Sequence, residues 1–268
     1  MEVGDALLMN EAAEKSGKIF GIMYNQRTEP VYITLKKLIS SGELGAIKRI
    51  TWTVTDWYRS RAYHLSSPWH STWRGEGGGV LINQSIHQLD LWQWLFGMPS
   101  RVWARAGFGK YHGIEVEDDV MAYFEYESGV TGEYITSTGE TPGTNRLEIA
   151  CDMGRVVAEG GKISFLKNSV SEREFEKINR EPFARPDCEA TDVPIEPKDR
   201  VGHEAIIANF TNVVLHGGEL IAPGREGVNA LMLANGAILS AWTGQWVELE
   251  DFPVEEYSKR LREHMGKV

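Results

Sequence analysis

The sequence predicts an α+β domain with one open, mostly antiparallel sheet and helices on one face. Two helical segments come early, and short strand-like segments separated by turn signals fill the middle. Helical periodicity then returns near the end. The chain has 268 residues, 42% hydrophobic and 25% charged, enough for a substantial core of an ordinary globular kind.

The elements follow in order. Residues 3–16 place Ala6, Leu7, Met9, Ala12 and Ala13 at helical spacing, and Gly17 is the natural stop. Residues 18–25 read as a short apolar strand, 29–42 as a second helix closed by Gly42, and 46–58 as a long half-buried strand. A polar, aromatic loop covers 59–78. A helix is expected over 79–96, ended by Gly97 with Pro99 beyond. Strands are expected at 101–107, 119–127, 130–138, 145–152, 155–159 and 162–166, with hairpins at 128–129 and 153–154. Residues 179–200, rich in Pro, Asp and Glu, read as an irregular excursion. Helices at 202–216 and 225–242 and a helical stretch near 254–265 close the chain. No internal repeat or low-complexity tract occurs.

Charge and composition remove several classes of function. The formal charge is −10, from 28 basic and 38 acidic residues, and no basic stripe is present. Nucleic acid and anionic membrane are therefore excluded as partners. No apolar run approaches the ~20 residues of a membrane span. The acidic N-terminus lacks the order of a signal peptide, and Cys151 and Cys188 are too few for a disulfide framework, so the expected location is cytoplasmic. Nine Trp and nine Tyr suit a carbohydrate-like ligand or a broad protein interface.

The stretch "GEGGGVLINQSIHQLDLWQWLFG" (75–97) poses the main question. Its glycines resemble a phosphate-binding loop, but a polar loop precedes them and no Lys-Ser/Thr follows. A tight backbone entry to a buried helix is the better reading. On that helix Asn83, His87, Asp90 and Trp94 fall together beside the stripe of Ile82, Ile86, Leu89 and Gln93. His87 would take a proton from a substrate hydroxyl while the Asn83 amide holds that hydroxyl or its neighbour. The alternative is a core histidine bonded to Asp90 or to backbone. The loop before it offers Trp57, Tyr58, Tyr63, Trp69 and Trp73 with Arg59, Arg61, Arg74, His64 and His70. Aromatic faces and such donors suit a polyol site, and a Trp-rich dimer interface is the competing reading. No metal site is expected: His64 and His70 lack ligand spacing, and Glu117-Asp118-Asp119 reads as a solvated turn. His203, Glu204 and Arg225 read as packing and surface positions.

These segments, with "KIFGIMYNQR" (18–27), "LISSGELGAIKRI" (38–50), "VEDD" (116–119), "TPGTNRLEI" (141–149), "GREGVNALMLANGAILSAW" (224–242) and "VELED" (247–251), resemble the Gfo/Idh/MocA oxidoreductases. The resemblance implies an NAD(P)-binding Rossmann domain followed by an α+β domain whose sheet often mediates oligomerisation. It makes residues 1–25 the remnant of the first domain, its last helix and strand, and 26–268 the substrate-binding and oligomerisation domain. Neither the Gly-rich cofactor loop nor a Glu-Lys-Pro motif occurs, since Ser16 follows Glu14-Lys15. NAD or NADP is thus expected for the full-length family member, with none bound by this chain alone.

The family's Asp four residues before a His corresponds to Asn83 and His87, the implied catalytic pair; Asn83 departs from the pattern, because an amide cannot carry the proton. Asn25 and Arg27 match a segment near the nicotinamide. Tyr58, Arg59, Tyr63, Trp73 and Arg74 would shape a pocket for a sugar, sugar derivative or cyclitol oxidised by hydride transfer. A homodimer or homotetramer through the open sheet is implied. The competing reading is a non-catalytic sugar-binding or assembly module.

Overall fold

A computed structural model describes residues 1–266. Its helices are α1 (Val3–Ser16), α2 (Pro30–Ser40), α3 (Arg61–His64), α4 (Ile86–Phe96), α5 (Glu172–Ile178), α6 (Gly202–His216), α7 (Gly227–Thr243) and α8 (Val254–Met265). The strands are β1 (Ile47–Val54), β2 (Arg101–Phe108), β3 (Glu117–Glu125), β4 (Thr131–Ser137), β5 (Asn145–Cys151), β6 (Gly154–Glu159), β7 (Lys162–Asn168), β8 (Cys188–Asp192) and β9 (Val247–Glu248). They form one nine-stranded sheet in the order β8-β7-β6-β5-β1-β4-β3-β2-β9. Every neighbouring pair is antiparallel except β1 and β4. The expected open, mostly antiparallel sheet is therefore present.

Period-two alternation gives the sheet a buried face. Ile50, Trp52 and Val54 of β1, Val120, Ala122 and Phe124 of β3, and Leu147 and Ile149 of β5 all point into the core. Trp92 of α4 meets that face, with ring centroids 6.4 Å from Trp52 and 4.9 Å from Phe124. α7 lies against β2 and α4, completing the helical layer. On the opposite face Arg49, Arg105, Met121 and Arg155 are exposed. Turn chemistry sets the register. Ser128-Gly129 lies in the β3–β4 connection, and Cys151 pairs with Gly154 across a two-residue turn. Gly160 and Gly161, at φ of 57° and 73°, form the tight β6–β7 turn that only primed geometry allows without strain.

Three expectations are corrected. Residues 18–25 make no strand but a single bridge, Gly21 to Pro223, because no sheet strand runs beside them among the described residues. Residues 79–85 are turns, and the helix expected from 79 begins only at Ile86. The excursion expected over 179–200 carries the edge strand β8, and α5, capped by the Ser171 side chain on Glu174 N, precedes it. Every residue of β8 is exposed, so it lacks the apolar alternation that identifies a strand.

Candidate functional site

The glycine loop is held from below by Glu117 at the start of β3. Its Oε1 accepts from Gly79 N at 2.7 Å and Leu81 N at 3.2 Å, and its backbone carbonyl accepts from Val80 N at 2.9 Å. A Cβ on Gly79 would sit 2.0 Å from the Glu117 carbonyl oxygen, so only glycine permits this approach. These amides are spent inside the protein and are not free to cradle a phosphate. The Gly79 carbonyl accepts from Ile82 N and Asn83 N and the Val80 carbonyl from Ser85 N, so the chain runs in successive turns up to α4.

Glu117 and Asp118 are fully buried, which corrects the reading of 117–119 as a solvated turn. Burial pushes the Glu117 carboxyl up to about 7. Asp118 accepts the backbone N–H groups of Lys110, Tyr111 and His112. Among the described residues no group of three or more His, Cys, Asp or Glu is arranged to hold a metal.

Above the loop, several of the residues singled out in the sequence meet. The Asn83 amide donates to the Tyr63 hydroxyl at 3.2 Å and to Glu76. Gln84 donates to the same hydroxyl at 3.2 Å, and the Arg59 guanidinium lies 5.1 Å from the Tyr63 ring centroid. Arg59 Nε, Trp57 Nε1 and Thr138 Oγ1 are buried without a partner, and the Arg59 amide is bonded to the Thr138 carbonyl. Buried unsatisfied donors are costly, so this cluster is built to meet a further polar group.

His87, in the first turn of α4, shares no hydrogen bond with Asn83, which lies in the turns before the helix. Its ring is edge-on to Tyr24 at 6.1 Å, and its Nδ1 is buried without a partner. The alternative of a core histidine bonded to Asp90 does not occur, because Asp90 turns to Arg27 and Gln93. Burial, with the charge of nearby His203, pushes the His87 imidazole below its ordinary value. Both effects favour the neutral ring, in which one nitrogen is free to accept a proton.

Other residues singled out in the sequence lie elsewhere. Trp73 is core: it is 3% exposed and packs on Trp242 at 5.2 Å and Phe108 at 5.8 Å. Arg74 and Tyr58 are exposed. Arg27 is locked in a buried ion pair with Asp90 and Glu226, so it has no guanidinium face left for a dinucleotide. Asn25 is half-buried, and its carbonyl accepts from Thr28.

Sequence reasoning missed Glu76 and the burial of Glu117. Glu76 lies between two glycines in a polar loop and Glu117 heads a Glu-Asp-Asp run, settings in which a charged residue ordinarily reads as solvated. His64 and His70 instead line an outer cleft of about 730 Å³ with Arg61, Ser71, His112 and Glu115. Burial pushes the His64 imidazole down as well.

Residues 32–157 match the GFO/IDH/MocA C-terminal domain. The chain is 23% identical over 260 residues to 1,5-anhydro-D-fructose reductase of Ensifer adhaerens, covering 93% of this chain and 70% of that protein. It is 32% identical over 103 residues to scyllo-inositol 2-dehydrogenase (NADP(+)) IolW of Bacillus subtilis, covering 38% of this chain and 27% of that one. In fold it is similar to the WlbA dehydrogenase of Bordetella pertussis, solved in complex with NADH and UDP-GlcNAcA. There the TM-score is 0.73 at 24% identity, over 92% of this chain and 68% of that one. No helix among the described residues is long and apolar enough to cross a membrane. Residues 32–157 thus carry a likeness to the GFO/IDH/MocA C-terminal domain, and the chain shares its fold with the WlbA dehydrogenase over 92% of its length.

Proposed function

We propose that the chain is the substrate and oligomerisation portion of an NAD(P)-dependent oxidoreductase acting on a hydroxyl of a sugar, sugar derivative or cyclitol. The observation that carries this reading is the pairing of two unsatisfied features on one stretch of chain. One is the polar cluster of Arg59, Tyr63 and Asn83; the other is His87, with a buried, unpartnered Nδ1 and a neutral ring. The cluster would hold the polyol and His87 would accept the hydroxyl proton. Asn25 lies on the His87 side, near Tyr24, and is the remaining candidate for a cofactor contact. The nicotinamide supplies hydride chemistry when bound, and its phosphates require residues beyond those described.

Residues 1–25 are assigned to the end of a cofactor domain and 26–268 to the substrate domain. Exposed Leu7, Leu8 and Met9 of α1, with Ile19 and Met23, support a further apolar contact there. Calorimetric titration of this chain with NAD should give no micromolar binding, and a micromolar constant would overturn the assignment. His87→Ala should lower polyol-dependent turnover of the full enzyme about a hundredfold. Unchanged turnover on its best sugar removes His87 from the mechanism.

Oligomerisation is assigned to the open sheet face. Met121 is 54% exposed there, beside Tyr123, whose ring lies 6.0 Å from Trp246. Met121→Arg should convert the oligomer to monomer in light scattering after size exclusion, and an unchanged mass would point to another surface. A second reading, a non-catalytic sugar-binding or assembly module, is favoured by the spent glycine loop and Arg27. Polyol binding with no turnover in the complete protein would select it.

A further inference from the structure

Glu76 is a buried carboxylate, 5% exposed, with no cation within ion-pair distance among the described residues. Such a group is costly unless hydrogen bonds satisfy it, and two donors do so here. Ser71 N donates to Oε2 at 2.7 Å, and the Asn83 amide donates to Oε1. Ser71 delivers its N–H from a left-handed backbone, φ 58°, which non-glycine residues seldom adopt. Its hydroxyl is held 2.6 Å from His64 Nδ1. The carboxylate is thus bound by a backbone set for the purpose.

The consequence falls on Asn83. The NH2 end of the amide faces Glu76 Oε1 and donates to it, which turns the amide oxygen away. Its second proton goes to the Tyr63 hydroxyl at 3.2 Å. Both amide donors are then spent. Oδ1 remains, and it accepts no hydrogen bond among the described residues. Tyr63 accepts from Asn83 and Gln84, which leaves its own proton free to donate. The pair therefore presents one acceptor and one donor side by side, the complement of a substrate hydroxyl. Without Glu76 the amide could turn either end outward.

We propose that Glu76 is a positioning residue that fixes the Asn83 amide so that Oδ1 and the Tyr63 hydroxyl together receive a polyol hydroxyl. This rests on the polyol reading of the site. Toward the ligand Asn83 then presents only an acceptor, as a carboxylate at that position would, with the Glu76 carboxyl one side chain behind it.

The test is a swap. Wild type, Glu76→Gln, Asn83→Asp and the double variant are titrated calorimetrically with scyllo-inositol, and all four are melted thermally. Glu76→Gln should weaken binding roughly tenfold, the loss of one hydrogen bond to a charged acceptor. Asn83→Asp sets two carboxylates against each other and should weaken it at least as much. In the double variant the amide now at position 76 donates to the carboxylate now at position 83. That restores an acceptor facing the ligand, so affinity should return to within about threefold of wild type. A merely structural brace would change melting without this rescue. The proposal is overturned if Glu76→Gln binds like wild type. It is equally overturned if the double variant melts like wild type yet binds as weakly as the single ones. Wild type that takes up no scyllo-inositol at millimolar concentration defeats the polyol reading itself, and the proposal with it.

Discussion

Arg27→Met will lower the unfolding free energy by about 3–5 kcal/mol, the cost of leaving a buried charge without its partner. Both side chains of the Arg27–Asp90 pair are 1% exposed. Arg27 Nε and Nη2 donate to the two Asp90 oxygens at 2.8 and 2.6 Å. Its Nη1 donates to Glu226 at 2.6 Å and to the Ile221 carbonyl at 3.2 Å. One guanidinium thus ties the turn after Tyr24 to α4 and to the segment entering α7. The methionine keeps the packing volume but leaves Asp90 with only Gln93 as donor, at 2.9 Å. Arg27→Met with Asp90→Leu should recover most of the loss, because a matched apolar pair carries no desolvation penalty. Urea unfolding of the single and double variants measures both numbers. A single-variant loss under about 1 kcal/mol would mean that water reaches the pair after all.

A second large effect concerns pH. Glu117 has a carboxyl raised to about 7 in the folded chain, against an ordinary value of 4.5. Between those two values the folded state holds the proton and the unfolded state has released it. Stability from this group is therefore full below about pH 4.5 and is lost as pH rises through about 7. The displacement corresponds to about 3 kcal/mol. Glu117→Gln keeps an oxygen to accept from Gly79 and Leu81 and removes the charge. The variant should match wild type near pH 4 and exceed it by up to about 3 kcal/mol near pH 8. Denaturation midpoints across that range decide it. Parallel curves for the two proteins would show that Glu117 does not titrate where its burial places it.

The site is less legible in the sequence than the fold around it. Asn83 and His87 lie four residues apart, which on a continuous helix would stack them one turn above the other. In the fold only His87 lies on α4, Asn83 sits in the turns before it, and Glu117, more than thirty residues downstream, holds the Gly79 and Leu81 amides of that loop. Trp73 resembles a sugar platform in its polar loop, yet it faces Trp242, which lies far along the chain. Arg27, expected at the cofactor, is instead consumed by Asp90. In each case the deciding partner is distant in sequence, and local spacing carries no record of it.

What the sequence determined by itself is the scaffold. Alternating apolar residues at Ile50, Trp52 and Val54, the turn signals at Ser128-Gly129 and Gly160-Gly161, and the stop at Gly17 are local instructions, and the chain follows each of them. The strand order was not available in this way, nor was the parallel pairing of β1 with β4, since both depend on contacts across many residues. Only the tertiary structure decided which charges are buried. Glu76 and Glu117 look like ordinary surface acids until backbone amides and Asn83 are brought to them. A carboxylate can leave water only where donors from elsewhere in the fold replace it, and that is a property of the assembled chain.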